Sequence, residues 1–282
     1  MTFNRLIFGS SGLGSRVSFA RSVDLVRQAY SLGIRNFDTA PTYGAGYAER
    51  ILAVALKNSE ASIATKFGQR DDLSVRGIAK KIYRAPRPWL FFDSFQKSSP
   101  QAFTTEQAWA RFEAEASFER SQARLDGLSI KYFFLHAPPI PVLATRIEEE
   151  LLSFRRRGLK FAMGLAEPCN EDLRKIAEGY KSEVFDVLQV SLLTIRSQFQ
   201  TVPRFNVREV WVNQIFSTLK VQGKNANADE YFESLKQDFF SLGDWKAVVG
   251  CNSLGSVGKL TTLYSSLFGA SGAEAPSDGS RI

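Results

Sequence analysis

Cysteine and histidine are scarce in this 282-residue chain. The two cysteines, Cys169 and Cys251, stand far apart, with no CxxC pair and no histidine beside either. Neither a disulfide framework nor a zinc site is indicated, no metal is expected, and the pattern fits a reducing cytoplasm. Long apolar runs are missing too: no stretch reaches the ~18 residues that a membrane-crossing helix needs. Residues 1–5 do not begin a basic region followed by an apolar one, so no secretory leader is expected. Acidic residues are outnumbered, with Asp plus Glu at 29 against Lys plus Arg at 36, giving a formal charge of +7. That excess is modest and spread along the chain. It suits anionic small molecules at least as well as nucleic acid, for which no binding motif is present. The chain is expected to be soluble, with neither nucleic acid nor a membrane as partner, and nothing in it indicates an oligomeric state.

What is plentiful is material for a core. Hydrophobic residues make up 44% of the chain and aromatics 12%, and α/β barrels of ~250 residues fold as single domains. Short apolar runs alternate with longer amphipathic segments, the pattern of βα units around a buried parallel sheet. Strands are predicted over 6–9, 34–38, 62–66, 130–136, 161–165, 185–189, 210–213 and 247–250. Helices are predicted over 21–32, 47–57, 105–125, 145–157, 171–181, 229–241 and 257–268. In 145–158 the acids Glu148, Glu149 and Glu150 come early, Arg155, Arg156 and Arg157 come late, and Gly158 follows. That order complements the helix dipole and supplies a C-terminal cap. The expected fold is an α/β, (β/α)8 TIM barrel over 1–268.

Two stretches break the repeat. Residues 68–103 are too long for a βα loop and hold Pro86, Pro88 and Pro100, so an inserted loop follows the third strand. Within it Arg76, Lys80, Lys81, Arg84 and Arg87 occur without an acid and precede Trp89, Phe91 and Phe92. This is either a solvated basic loop or a lid that attracts an anionic or sugar-like substrate. Residues 191–209 leave little room for a helix, and Pro203 interrupts them, so the sixth helix is shortened. The tail, 269–282, is rich in Gly, Ala and Ser and is expected to be disordered.

In such a barrel, reactive groups collect where the strands end at their C-termini. Asp38, Lys66 and His136 each close an apolar run: IRNFD, ASIATK and IKYFFLH. Tyr43 lies in the loop after Asp38, so four groups able to exchange or orient protons converge on one rim. Singly, each has a duller explanation. Asp38 could cap a turn, Tyr43 could be a packed aromatic, and His136 could be a satisfied core residue. Lys66 is harder to dismiss, because an unpaired ammonium is costly to bury.

The segments FDTAPTYGAGYAERIL, ATKFG and FFLHAP resemble the defining motifs of the aldo-keto reductases. A weaker resemblance extends to FGSSGLG, AMGLAEP, FDVLQ and VVGCNSLGSV, and so to most of residues 5–265. It implies a nicotinamide-dependent oxidoreductase that moves hydride between NADPH or NADH and an aldehyde, ketone or sugar-type carbonyl. Tyr43 would then be the general acid or base. Hydride transfer to a carbonyl builds negative charge on oxygen, so a proton donor must stand beside it. A phenol needs a nearby cation for that work, which Lys66 supplies, while Asp38 keeps Lys66 charged and His136 orients the substrate oxygen. No GxGxxG dinucleotide fingerprint and no tyrosine followed four residues later by lysine is present, which sets aside two other dehydrogenase classes.

The same resemblance implies cofactor contacts from Ser10 and Ser11 in the first turn, from Asp38, and from Gln189 after the sixth strand. The family's Ser-Asn pair after strand five is replaced here by Ala166 and Glu167, and an acid still accepts from a carboxamide nitrogen. For the aromatic that stacks on the nicotinamide, WVNQIFS offers Gln214 or Phe216. The family's cationic grip on a 2′-phosphate is reduced to Asn252, Ser253 and the single cation Lys259, with Gly250 and Ser256 at the usual Lys and Arg positions. These departures sustain an alternative, a barrel with weak or no turnover that serves as a binding or accessory protein.

Overall fold

The computed structural model describes residues 3–68, 114–137, 162–166, 185–198, 207–215 and 245–260, together with 152, 154, 156, 262 and 264. Among these, eight strands close into a barrel in sequence order: β1 (Leu6–Gly9), β2 (Asn36–Asp38), β3 (Ser62–Phe67), β4 (Ser129–His136), β5 (Ala162–Ala166), β6 (Val187–Ser191), β7 (Glu209–Asn213) and β8 (Trp245–Gly250). Every neighbouring pair is parallel, and β8 returns to β1. The expected (β/α)8 barrel is the observed fold. Its strands differ from the predicted ones only by shifts of one to two residues at their ends.

The core has two parts because successive strand residues point to opposite faces. Ile7, Ala64, Phe134, Val187, Trp211 and Val248 form one cluster inside the barrel, with Tyr132 packed against it. Phe8, Phe37, Ile63, Phe133 and Leu188 belong to the larger cluster shared with the helices. Phe134 occupies the interior because β5 has a glycine opposite: a Cβ on Gly164 would collide with the Phe134 ring. Around the sheet run helix α1 (Phe19–Ser31), α2 (Tyr47–Ala55), α3 (Ala114–Leu125), α4 (Leu192–Gln198) and α5 (Leu254–Gly258). Burial of Ser22, Leu25, Val26 and Ala29 gives α1 the one-sided stripe of a helix laid on a sheet. Helix α4 follows β6 and is described over seven residues; residues 199–206, on which the expected shortening of the sixth helix also rests, lie outside the described residues.

Strand stagger positions the site. Asp38 is in register with Ala64, and Lys66 with Phe134, so Lys66 stands one inward-facing step above Asp38 and His136 one step above Lys66. His136 is in turn level with Ala166, and Ala166 with Gln189. This staircase is the shear that closing a barrel imposes. The basic insertion (described only at Gly68), the predicted helix over 171–181 and that over 229–241, and the tail over 269–282 lie outside the described residues.

Candidate active site

Tyr43 begins a single 3-10 turn, Tyr43–Gly46, between β2 and α2. Its next three residues are all left-handed, Gly44 at φ 55°, Ala45 at φ 56° and Gly46 at φ 85°. Glycine takes that conformation freely, whereas Ala45 is held there against a cost of order 1 kcal/mol. A Cβ on Gly44 would come within 2.8 Å of the Leu13 carbonyl oxygen, so the turn is pressed onto the β1–α1 loop. The sequence YGAG is thus shaped to fold back sharply and bring the half-buried Tyr43 ring to the barrel mouth.

The Lys66 ammonium reaches both carboxylate oxygens of Asp38, at 2.6 and 2.7 Å, and donates to the Thr39 carbonyl at 3.1 Å. It is 1% exposed. Burial works against its charge, but the Asp38 carboxylate and the Tyr43 phenol outweigh burial, and its pKa is raised above the ordinary lysine value. The ammonium lies 4.8 Å from the centre of the Tyr43 ring. His136 meets Tyr43 edge-on, with ring centres 6.0 Å apart. Burial, reinforced by the Lys66 ammonium, pushes the His136 pKa down to about 3. At neutral pH its ring is therefore an uncharged donor and acceptor. The four catalytic candidates converge as expected. Cys251, just past β8, has a thiol pushed up to about 12 by burial, which leaves little of the thiolate that cysteine chemistry requires.

The cofactor candidates divide. Gln189 is 1% exposed and hydrogen-bonds Asp38, while its Oε1 is a buried acceptor with no partner among the described residues. A carboxamide N–H2 is the kind of donor such an acceptor takes, so the chain fits a nicotinamide group at this point. Ser10 is buried with its Oγ similarly unsatisfied, whereas Ser11 is exposed. Ser253 is engaged as the N-cap of α5, accepting from the Ser256 amide at 3.1 Å. Asn252 and Lys259 are exposed, the latter at the C-cap of α5. Glu167 and Phe216 lie outside the described residues.

At β7 the inward positions alternate through Glu209, Trp211 and Asn213, and Asn213 is the last strand residue, buried beside Ser191. Gln214 follows it, exposed and at φ 55°. The place at the end of strand seven is therefore held by an amide, one that sequence reading passed over. Counting by twos from the buried Trp211 would have reached it. Glu49 was also passed over, an acid set within the buried face of α2 among Ala48, Ile51 and Leu52.

Over 86 residues the chain is 38% identical to L-galactose dehydrogenase of Arabidopsis thaliana, a match that spans 27% of this chain and 27% of that protein. Its fold is similar to that of an aldo-keto reductase of Bacillus halodurans in its holo form, with TM-score 0.62 at 15% identity, covering 94% of this chain and 86% of the other. It is also similar to an aldo/keto reductase of Klebsiella pneumoniae in complex with NADP and acetate, with TM-score 0.57 at 14% identity and the same coverage, 94% and 86%. The family model for Aldo/keto reductases matches residues 5–204. With that match over most of its length and a closed parallel barrel, the chain belongs to the aldo/keto reductase family.

Proposed function

We propose that this chain is an NAD(P)H-dependent oxidoreductase of small carbonyl compounds, reducing an aldehyde, ketone or sugar-type carbonyl or oxidising the matching alcohol. The observation that carries the reading is the Lys66 ammonium, buried, gripped by both oxygens of Asp38 and set 4.8 Å from the Tyr43 ring. A cation so placed lowers the cost of a phenolate at Tyr43, which is what a tyrosine needs to give up and regain a proton.

When bound, the nicotinamide group supplies the hydride to the carbonyl carbon in reduction, or accepts it in oxidation. As negative charge grows on the substrate oxygen, the Tyr43 Oη–H donates its proton there, and the Lys66 ammonium stabilises the phenolate that remains. Asp38 holds Lys66 charged and aimed. His136, uncharged at neutral pH because of its burial, donates a hydrogen bond to the same oxygen and fixes its approach. Gln189, whose Oε1 has no partner among the described residues, would hold the carboxamide of the nicotinamide group. Sugar-type substrates are favoured by the partial match to L-galactose dehydrogenase.

Titration of the purified protein with NADPH and with NADH, followed by turnover of glyceraldehyde and of an aldose, tests the reading. Binding in the micromolar range with turnover is the expected result. A folded barrel that binds neither nucleotide would replace it with the accessory-protein alternative.

A further inference from the structure

A second ion pair, with a buried carboxylate and a partly buried guanidinium, lies outside the barrel wall and joins α2, which follows the Tyr43 turn, to α3. Glu49, in the first turn of α2, is fully buried. Its Oε1 accepts from the Thr65 hydroxyl at 2.7 Å, and its Oε2 pairs with the Arg124 Nε from the last turn of α3. Arg124 also donates to the Ser121 hydroxyl at 3.3 Å. Its side chain lies against the end of the Tyr43 turn: a Cβ on Gly46 would be 3.3 Å from the Arg124 Cδ.

Stability alone does not account for such a pair. Apolar side chains of the same volume at a helix–strand contact are often as stabilising as a buried ion pair or more so, because desolvating two charges offsets their attraction. What the pair adds is direction. Thr65 faces outward on β3 and Lys66, the next residue, faces inward, so any slide of Thr65 against α2 displaces Lys66. At its other end the same cluster bounds a turn whose Ala45 is held left-handed, a turn with reason to relax if nothing confines it.

We propose that Glu49 and Arg124, acting through Thr65 and Gly46, are positioning residues that set the distance between the Lys66 ammonium and Tyr43. The proposal rests on Tyr43 and Lys66 being the catalytic pair.

The test is steady-state kinetics of the full chain with NADPH and glyceraldehyde, together with nucleotide titration and thermal melting. Glu49→Gln should lower kcat roughly tenfold, since small misplacements of catalytic groups cost that much or more. Thr65→Val, which removes only the strand link, should lower it about threefold, with KM and nucleotide Kd within about twofold of wild type. Thr65→Ser keeps the hydroxyl and should restore kcat, a rescue that a purely structural role would not give. Should Glu49→Gln fail to fold, the Thr65 variants decide alone. Equal kcat for Thr65→Val and Thr65→Ser, or a loss that appears in KM and Kd in proportion, overturns the proposal. Tyr43→Phe, assayed alongside, separates the two levels. If it keeps its turnover, the catalytic reading falls and the positioning role with it. If it is inactive while the Thr65 variants match each other, only the positioning role falls.

Discussion

The two ends of the barrel carry the same three kinds of side chain and use them differently. At the C-terminal end of the strands stand Lys66, Asp38 and Tyr43. Toward the N-terminal end stand Lys246, Glu209 and Tyr132, with the Lys246 ammonium 2.8 Å from Glu209 and 5.8 Å from the Tyr132 ring centre. The lower carboxylate is used up internally, accepting from the Trp211 indole at 2.9 Å as well as from Lys246. Burial pushes the Tyr132 hydroxyl above the ordinary tyrosine value, with Lys246 pulling the other way. In the upper group the lysine is sealed, the tyrosine rides on a left-handed turn, and Gln189 beside it keeps an acceptor open among the described residues. A lysine, an acid and a tyrosine in contact do not make a site by themselves. The upper group differs in an unsatisfied neighbour and in a backbone bent to present the phenol.

The largest expected contrast comes from removing each lysine. Lys66→Met leaves Asp38 buried without its partner, so turnover should fall at least ~100-fold and stability by about 3–5 kcal/mol. Lys246→Met acts on a pair that is partly open to solvent, 14% and 23% exposed, and should cost on the order of 1 kcal/mol, with kcat within about twofold. Urea midpoints and kcat on both variants check this. Equal loss of turnover would erase the distinction between the two ends.

A smaller effect sharpens the contrast through pH. The folded-state pKa of His136, about 3, lies below the ordinary 6.5, so as pH falls the unfolded chain binds the proton first. Stability contributed by the neutral ring is complete above about 6.5 and is lost on descending toward 3, by at most about 4 kcal/mol. His136→Gln should flatten the unfolding free energy between about pH 7 and pH 4, and in wild type His136 should add no ionisation to the kcat profile near neutrality. An unchanged slope would show that the ring is hydrated rather than sealed beside Tyr43.

The smallest effect concerns the nucleotide. Ser253 is committed to capping α5 and Lys259 is exposed at the far end of that helix, so no pair of cations is assembled there among the described residues. A charge-assisted contact to phosphate is worth roughly 1.5–3 kcal/mol, and without two of them NADPH should be preferred over NADH by less than about tenfold. Calorimetric titration of both nucleotides measures this, and a preference above about a hundredfold would place a cationic grip elsewhere in the chain.

Asp38, Lys66 and His136 were legible as polar residues closing apolar runs and Tyr43 as the phenol in the loop after Asp38, and the barrel brings those strand ends and that loop together. Strand limits were less so: β6 runs two residues past Gln189, which lowers that amide from the rim into the interior beside Asp38. Asn213 was missed because the two candidates weighed there, Gln214 and Phe216, both lie beyond the end of the alternation set by Trp211. Glu49 was missed because a charged residue in a helix reads as surface until its partners are known, and both Thr65 and Arg124 are distant in sequence.

The most direct measurement sets the two tyrosines against each other. Tyr43→Phe removes a proton needed only as charge develops on the substrate, so kcat should fall at least ~100-fold while nucleotide affinity stays within about twofold. Tyr132→Phe, at the other end of the barrel, should leave kcat within about twofold and cost on the order of 1 kcal/mol in stability. Near-wild-type turnover by Tyr43→Phe, or a matching loss in Tyr132→Phe, would contradict the assignment of the upper group as the catalytic one.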